Sequence, residues 1–173
     1  YASISGFGQD GTLADRPGFD QTAQGMGGLM SSTREPGQGP MRVGIPIADL
    51  CAGLFAAQAV FIAFLERVQS GKGQWVQTSL LQAQAFMLDF QAARYLMDGD
   101  VPKQAGNNHP TSIPTGVFTT SDGYINMAVA GELIWQRLAE TLEKPEWCDD
   151  ERFSVNEARS KNRDILNAEI EKI

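Results

Sequence analysis

The chain has 173 residues, 42% hydrophobic and 20% charged, with a formal net charge of −7. That length can bury one core, or one core and a small second lobe, and the composition is that of a globular protein. The acidic balance disfavours nucleic acid, which calls for a basic face. Cys51 and Cys148 make no disulfide framework, and a reducing cytoplasm is the compartment expected.

In chain order, residues 1–12 read as a strand end and a Gly-rich turn. Residues 20–31 are small, Gly- and Met-rich, and suit a closely packed helix. Residues 32–42 are dense in Gly and Pro and form a loop. Residues 50–69 hold no proline and one glycine, Gly53, and stay apolar throughout most of their length. Gln58, Glu66 and Arg67 interrupt that run, which predicts a buried core helix rather than a membrane span. Asp49 stands at its mouth as the predicted N-cap, because its carboxylate suits the orphan N–H groups and the dipole of the first turn. Ser70 to Gly73 stops the helix.

Gln74 to Thr78 alternates as a strand does, and Leu80 to Met97 repeats apolar residues at helical spacing, as at Leu81, Ala85, Leu88, Ala92 and Tyr95. Strand, helix, strand, helix implies an α/β parallel sheet. Gly99 to Pro114 reads as a long polar loop. Val117–Thr120 and Tyr124–Ala130 flank Asp122-Gly123, a hairpin signal. Trp135–Leu142 predicts a helix broken at Lys144-Pro145, Trp147–Phe153 an acidic turn-rich stretch, and Asn156–Ile173 a charged amphipathic helix. The division expected is 1–98 as α/β and 99–173 as linker and a smaller α+β lobe.

Several motifs share one order. Asp49-x-x-x-Gly53 opens the Ala-rich helix and Ser70-Gly71-Lys72-Gly73-Gln74 follows it. Ser5-Gly6-Phe7-Gly8-Gln9 and Arg16-Pro17-Gly18-Phe19-Asp20, with Gln24 beyond, precede it. Gly106-Asn107-Asn108-His109-Pro110 and Asp122-Gly123-Tyr124-Ile125 come later. Together they resemble the family III CoA-transferases, the formyl-CoA and carnitine-CoA transferase group that also includes 2-methylacyl-CoA racemase. The resemblance implies a Rossmann-like parallel sheet, an interlocked homodimer in which one chain threads the other, and an internal stretch of a longer enzyme, inactive by itself. It implies acyl-CoA and free carboxylic acids as substrates, with no permanently bound cofactor, no metal site and no membrane partner.

The family's chemistry needs a carboxylate nucleophile, and Asp49 matches that position; by local pattern alone it is a helix cap. Gln24 falls in a matching segment as a substrate or CoA contact, or is a polar residue fixing a loop. Arg16, Arg34 and Arg42 are the local candidates for CoA phosphates, or solvated surface charges. Gly106, Asn107 and Asn108 are candidate backbone donors for a developing oxyanion, or a plain turn. His109 suits a loop better than general-base work. Glu132 aligns with the racemase's second carboxylate, or simply starts a helix. The racemase branch carries His where this chain has Phe19, and Phe cannot move a proton, so transfer is the better reading than epimerisation. The remaining alternative is a non-catalytic structural fragment.

Overall fold

The computed structural model describes all residues, 1–173, in two compact units, Tyr1–Gln104 and Ala105–Ile173. In the first, β1 (Ala2–Ser5) pairs in parallel with β2 (Val76–Ser79), from Ala2 opposite Val76 to Ser5 opposite Ser79. Between them run α1 (Asp20–Met26), the short α2 (Leu29–Ser32) and the long α3 (Ile47–Ser70). After β2 come α4 (Leu80–Phe86) and α5 (Phe90–Asp98). This is mixed α/β structure with the expected parallel pairing, but the parallel sheet has two strands, not an extended Rossmann-like array.

The unit's core is built of small residues, Ala23, Ala48, Cys51, Ala52 and Ala83, with Leu80. Small side chains let the backbones of α1, α3 and α4 approach closely. Cys51 is a buried free thiol inside this core, as expected. Glycine does the same job twice. A Cβ on Gly18 would lie 2.5 Å from the Gly6 Cα, and one on Gly27 would lie 2.4 Å from the Gln84 Cγ. The first contact seats two of the sequence motifs backbone against backbone.

Two expectations for this unit need correction. The helix read as buried core is mostly open. Only Ala48, Cys51 and Ala52 of α3 are buried, while Leu54, Phe61, Ile62, Phe64, Leu65 and Val68 are exposed. The reason is that α1 and α4 cover the N-terminal turns of α3, with Phe55 edge-to-face on Phe86 at 5.2 Å, and the two short strands cover only one side of the rest. By length and composition α3 could also cross a membrane. The single helix read over residues 80–97 is two helices, broken at Met87–Asp89, where Asp89 takes φ +47° and ψ −122°. Apolar periodicity reports which face is apolar and not whether the backbone is continuous.

The second unit contains the predicted hairpin, β3 (Thr115–Thr120) antiparallel to β4 (Gly123–Ala128). It also holds α6 (Glu132–Thr141), a 3-10 turn at Pro145–Cys148, α7 (Asn156–Lys161) and α8 (Arg163–Ile170). The expected continuous C-terminal helix breaks at Asn162, whose Nδ2 donates to the carbonyls of Ala158 (3.0 Å) and Arg152 (3.3 Å). An Asn side chain that bonds local backbone competes with helix continuation. Trp135, Trp147 and Phe153 anchor the core, with the two indoles stacked 6.2 Å apart.

The unit's least expected member is Arg159, which lies in the stretch read as a charged amphipathic helix and is 1% exposed. Its Nε donates to the Ile113 carbonyl (2.9 Å) and its Nη1 to the Phe153 carbonyl (2.9 Å). Its guanidinium lies 4.8 Å from the centre of the Trp135 ring. One side chain thereby ties the loop before β3, the 3-10 region and α6 together.

Candidate active site

The N-terminus of α3 is organised by residues from far upstream. Asp49 was expected to cap this helix, and the structure corrects that. The helix starts at Ile47 with Pro46 as N-cap, and Asp49 is its third residue, exposed to solvent. The cap comes from Asp20, whose Oδ1 accepts the Ala48 N–H at 2.9 Å. Local sequence cannot reveal a cap supplied from 28 residues away. The Ile47 N–H goes to the Ile45 carbonyl and the Leu50 N–H to the Pro46 carbonyl, each within 3.0 Å. The Asp49 carboxylate is therefore not consumed in holding its own helix.

Asp20 is itself fixed. It is 8% exposed, and its Oδ2 accepts the Gln24 Nε2 at 2.7 Å. Arg42 stands 3.7 Å from the same oxygen. Gln24 is wholly buried and spends the rest of its amide on the segment leading into α3. Its Oε1 accepts the Val43 N–H (2.9 Å) and its Nε2 reaches the Ile45 carbonyl (3.3 Å). Three of the four hydrogen-bonding positions of this buried amide are spent on the chain itself, which favours the loop-fixing alternative. Asp20 ends the Arg16-to-Asp20 motif, and nothing in the local pattern signals its reach to α3.

Arg16 lies on the exposed segment before α1; its N–H closes a turn on the Leu13 carbonyl and its guanidinium makes no ion pair. Gly106, Asn107 and Asn108 belong to the other unit, as does Glu132. The Asn108 N–H is already donated to the Ala105 carbonyl (3.0 Å), and its Oδ1 accepts from Asn167 (2.9 Å). Gly116 packs on this loop so tightly that a Cβ would lie 2.8 Å from the Asn107 carbonyl oxygen. Asn108 is therefore a tied turn residue and no longer a candidate oxyanion donor. His109 likewise works for its loop, its Nδ1 accepting the Ser112 N–H at 2.9 Å.

Glu132 opens α6 and gives both carboxylate oxygens to Arg159, at 2.9 and 3.1 Å. Hydrogen bonding from Arg159 holds its carboxyl below the usual carboxylate range. A base needs affinity for a proton, so this pairing argues against Glu132 as the second carboxylate of a racemase. Phe19, 70% exposed, adds no proton carrier.

The sequence signature of CoA-transferase family III spans residues 1–173. The chain belongs to CoA-transferase family III. This family III chain is 40% identical over 159 residues to a succinate–glutarate CoA-transferase of Agrobacterium fabrum, covering 92% of this chain and 40% of that protein. It is 35% identical over 166 residues to the succinyl-CoA:glutarate CoA-transferase of Mus musculus, covering 96% of this chain and 38% of that one. Among solved structures, it is similar to a CAIB/BAIF family protein from Brucella suis. The TM-score is 0.80 at 39% identity, over 99% of this chain and 46% of that one. The chain thus spans about two fifths of the length of the relatives it matches.

Proposed function

We propose that Asp49 is the reacting carboxylate of an acyl-CoA:carboxylate CoA-transferase that works through covalent aspartyl intermediates. The observation that carries this reading is the exposed Asp49 in the first turn of α3, in a family III chain, with its capping duty taken over by Asp20. A carboxylate left out of its own helix's hydrogen bonding is available as a nucleophile.

The steps balance without a proton or an oxidant. An Asp49 oxygen attacks the thioester carbonyl, the C–S bond breaks, and a mixed anhydride and CoA thiolate form. The thiolate attacks the Asp49 side of the anhydride, giving an aspartyl-CoA thioester and releasing the donor acid. The acceptor carboxylate attacks that thioester, forming a second anhydride and freeing the thiolate. The thiolate then attacks the acceptor's acyl carbon, and the Asp49 carboxylate is regenerated. The anhydrides must be kept from water. Since Asp49 is exposed in this chain, that shielding falls to the full-length, interlocked homodimer, which is the acting species in this reading.

Short dicarboxylates are the proposed substrates, with succinyl-CoA as donor and glutarate as acceptor, because relatives at 40% and 35% identity bear those names. No permanent cofactor enters, and the enzyme is read as cytoplasmic. Gln58, Glu66 and Arg67 within α3 favour protein over lipid as the cover of its apolar side. The Arg16 guanidinium, exposed and without an ion pair, stays the local candidate for a CoA phosphate.

The test is to incubate full-length enzyme with succinyl-CoA and hydroxylamine and to map the modified peptide by mass spectrometry. A hydroxamate on Asp49, absent in Asp49→Asn, is expected. Turnover without any adduct, or an adduct on another residue, would overturn the reading.

A further inference from the structure

The N-terminus of α3 offers two acidic side chains for one capping duty. Asp49 at the third helical position lies in the first turn, where the helix dipole draws negative charge toward the unsatisfied N–H groups. Asp20 occupies that place instead, with its Oδ1 on the Ala48 N–H at 2.9 Å. It is buried, 8% exposed, and its second oxygen is held by Gln24 at 2.7 Å, so it cannot rotate away without breaking a charge-assisted bond. Gln24 in turn grips the Val43 N–H and the Ile45 carbonyl, on the segment that delivers the chain into α3.

We infer that Asp20 is a positioning residue: by capping α3 in place of Asp49, it keeps the Asp49 carboxylate turned outward toward the acyl group. This rests on the proposed role of Asp49 as nucleophile. Asp20 touches no substrate. It acts through the Ala48 N–H, one residue before the nucleophile. Its loss lets the Asp49 carboxylate fold back onto the vacated N–H. Displacement of a reacting atom by about 1 Å can cost on the order of 100-fold in rate.

The experiment uses full-length enzyme and measures single-turnover formation of the Asp49 adduct across a range of succinyl-CoA concentrations. The variants are Asp20→Ala, Asp20→Ser and Asp20→Asn. Ala offers no acceptor, and the Ser hydroxyl is too short to reach the Ala48 N–H. Asn keeps an oxygen at the right length. The expected result is a limiting rate about 100-fold lower for Ala and Ser, with half-saturation within about 3-fold of the parent. Asp20→Asn should recover to within about 10-fold of the parent, since the acceptor is restored while the charge and one bond to Gln24 are not.

A purely structural role moves stability without this split or this rescue. If Asp20→Ala does not fold, Asp20→Ser carries the same expectation with a polar group kept in the buried position. A folded Ala or Ser variant within about 3-fold of the parent rate overturns the inference, as does an Asn variant as slow as Ala. A parent enzyme that forms no Asp49 adduct points to a different failure. The nucleophile assignment would then be wrong, and the role of Asp20 would fall with it.

Discussion

Replacing Gln24 by Leu separates a clamp from a ligand contact. The two side chains are similar in size, so the change removes hydrogen bonds without opening a large cavity. Three bonds disappear: to Asp20 at 2.7 Å, to the Ile45 carbonyl at 3.3 Å and from the Val43 N–H at 2.9 Å. The bond to a carboxylate contributes about 2 kcal/mol. The partly buried Val43 N–H, left without its partner, adds about 1 kcal/mol, and the long bond to Ile45 little. The sum is about 3 kcal/mol against the closed form of the segment from Val43 into α3. At 1.4 kcal/mol per decade, amides there should exchange with deuterated water about 100-fold faster, while those of the second unit do not change. Hydrogen exchange read by mass spectrometry on peptides covering residues 43–52 is the assay. Unchanged exchange, together with a several-fold rise in half-saturation for acyl-CoA, would refute the clamp and restore Gln24 as a ligand contact.

Other outcomes follow from the same geometry. Arg159→Met leaves the carbonyls of Ile113 and Phe153 without their donor and strips Trp135 of its cation. The second unit should lose about 3–5 kcal/mol, seen as a lower urea midpoint of the Trp emission in a Trp75→Phe background. Glu132 has a folded-state pKa below its unfolded value, chiefly through its hydrogen bonds from Arg159. The stability it confers is therefore complete above the unfolded carboxylate pKa and is lost as pH falls through the folded one. Glu132 is half exposed, so Glu132→Gln should remove only about 1 kcal/mol at neutral pH and flatten the acid side of the stability profile. Gly18→Ala puts a Cβ 2.5 Å from the Gly6 Cα, so backbone must shift. About 1–3 kcal/mol of stability should go, in a thermal melt of the first unit, with a smaller change for Gly11→Ala, which has open space around it.

Much of the fold could be read from the chain because the signals were local. The αL stop at Gly71 and the Asp-Gly hairpin turn each follow from residues within a few positions of one another, while the parallel pairing of β1 with β2 follows from the order strand, helix, strand. What escaped depended on distance or on absent cover. The Asp20 cap joins residues 28 apart, and Arg159 is buried by partners 6 to 46 positions away. The breaks at Asp89 and Asn162 come from a positive φ and a competing side chain, neither of which interrupts apolar periodicity. The exposure of α3 escaped for another reason. An apolar run says that a helix wants cover, and only the packed chain shows that α1, α4 and the two short strands leave most of its apolar side bare.

At the candidate site, the motif pointed to Asp49, and the structure added why that carboxylate is left available. For Gln24 the sequence left ligand contact and loop-fixing both open, and its hydrogen bonds favour loop-fixing. Glu132 starts a helix, one of its two sequence readings, and its carboxylate pairs with a buried guanidinium that the sequence did not reveal.

The most direct test of the covalent aspartyl route follows oxygen. With glutarate labelled in its carboxylates with oxygen-18, succinyl-CoA and full-length enzyme, the bridging oxygen of the second anhydride comes from glutarate and stays on Asp49. The next donor acid then leaves with one of the two equivalent Asp49 oxygens. One heavy oxygen is expected on the Asp49 peptide after a single turnover, rising to two over many turnovers, with heavy oxygen appearing in the released succinate. Turnover with unlabelled Asp49 and unlabelled succinate would contradict a covalent aspartyl route.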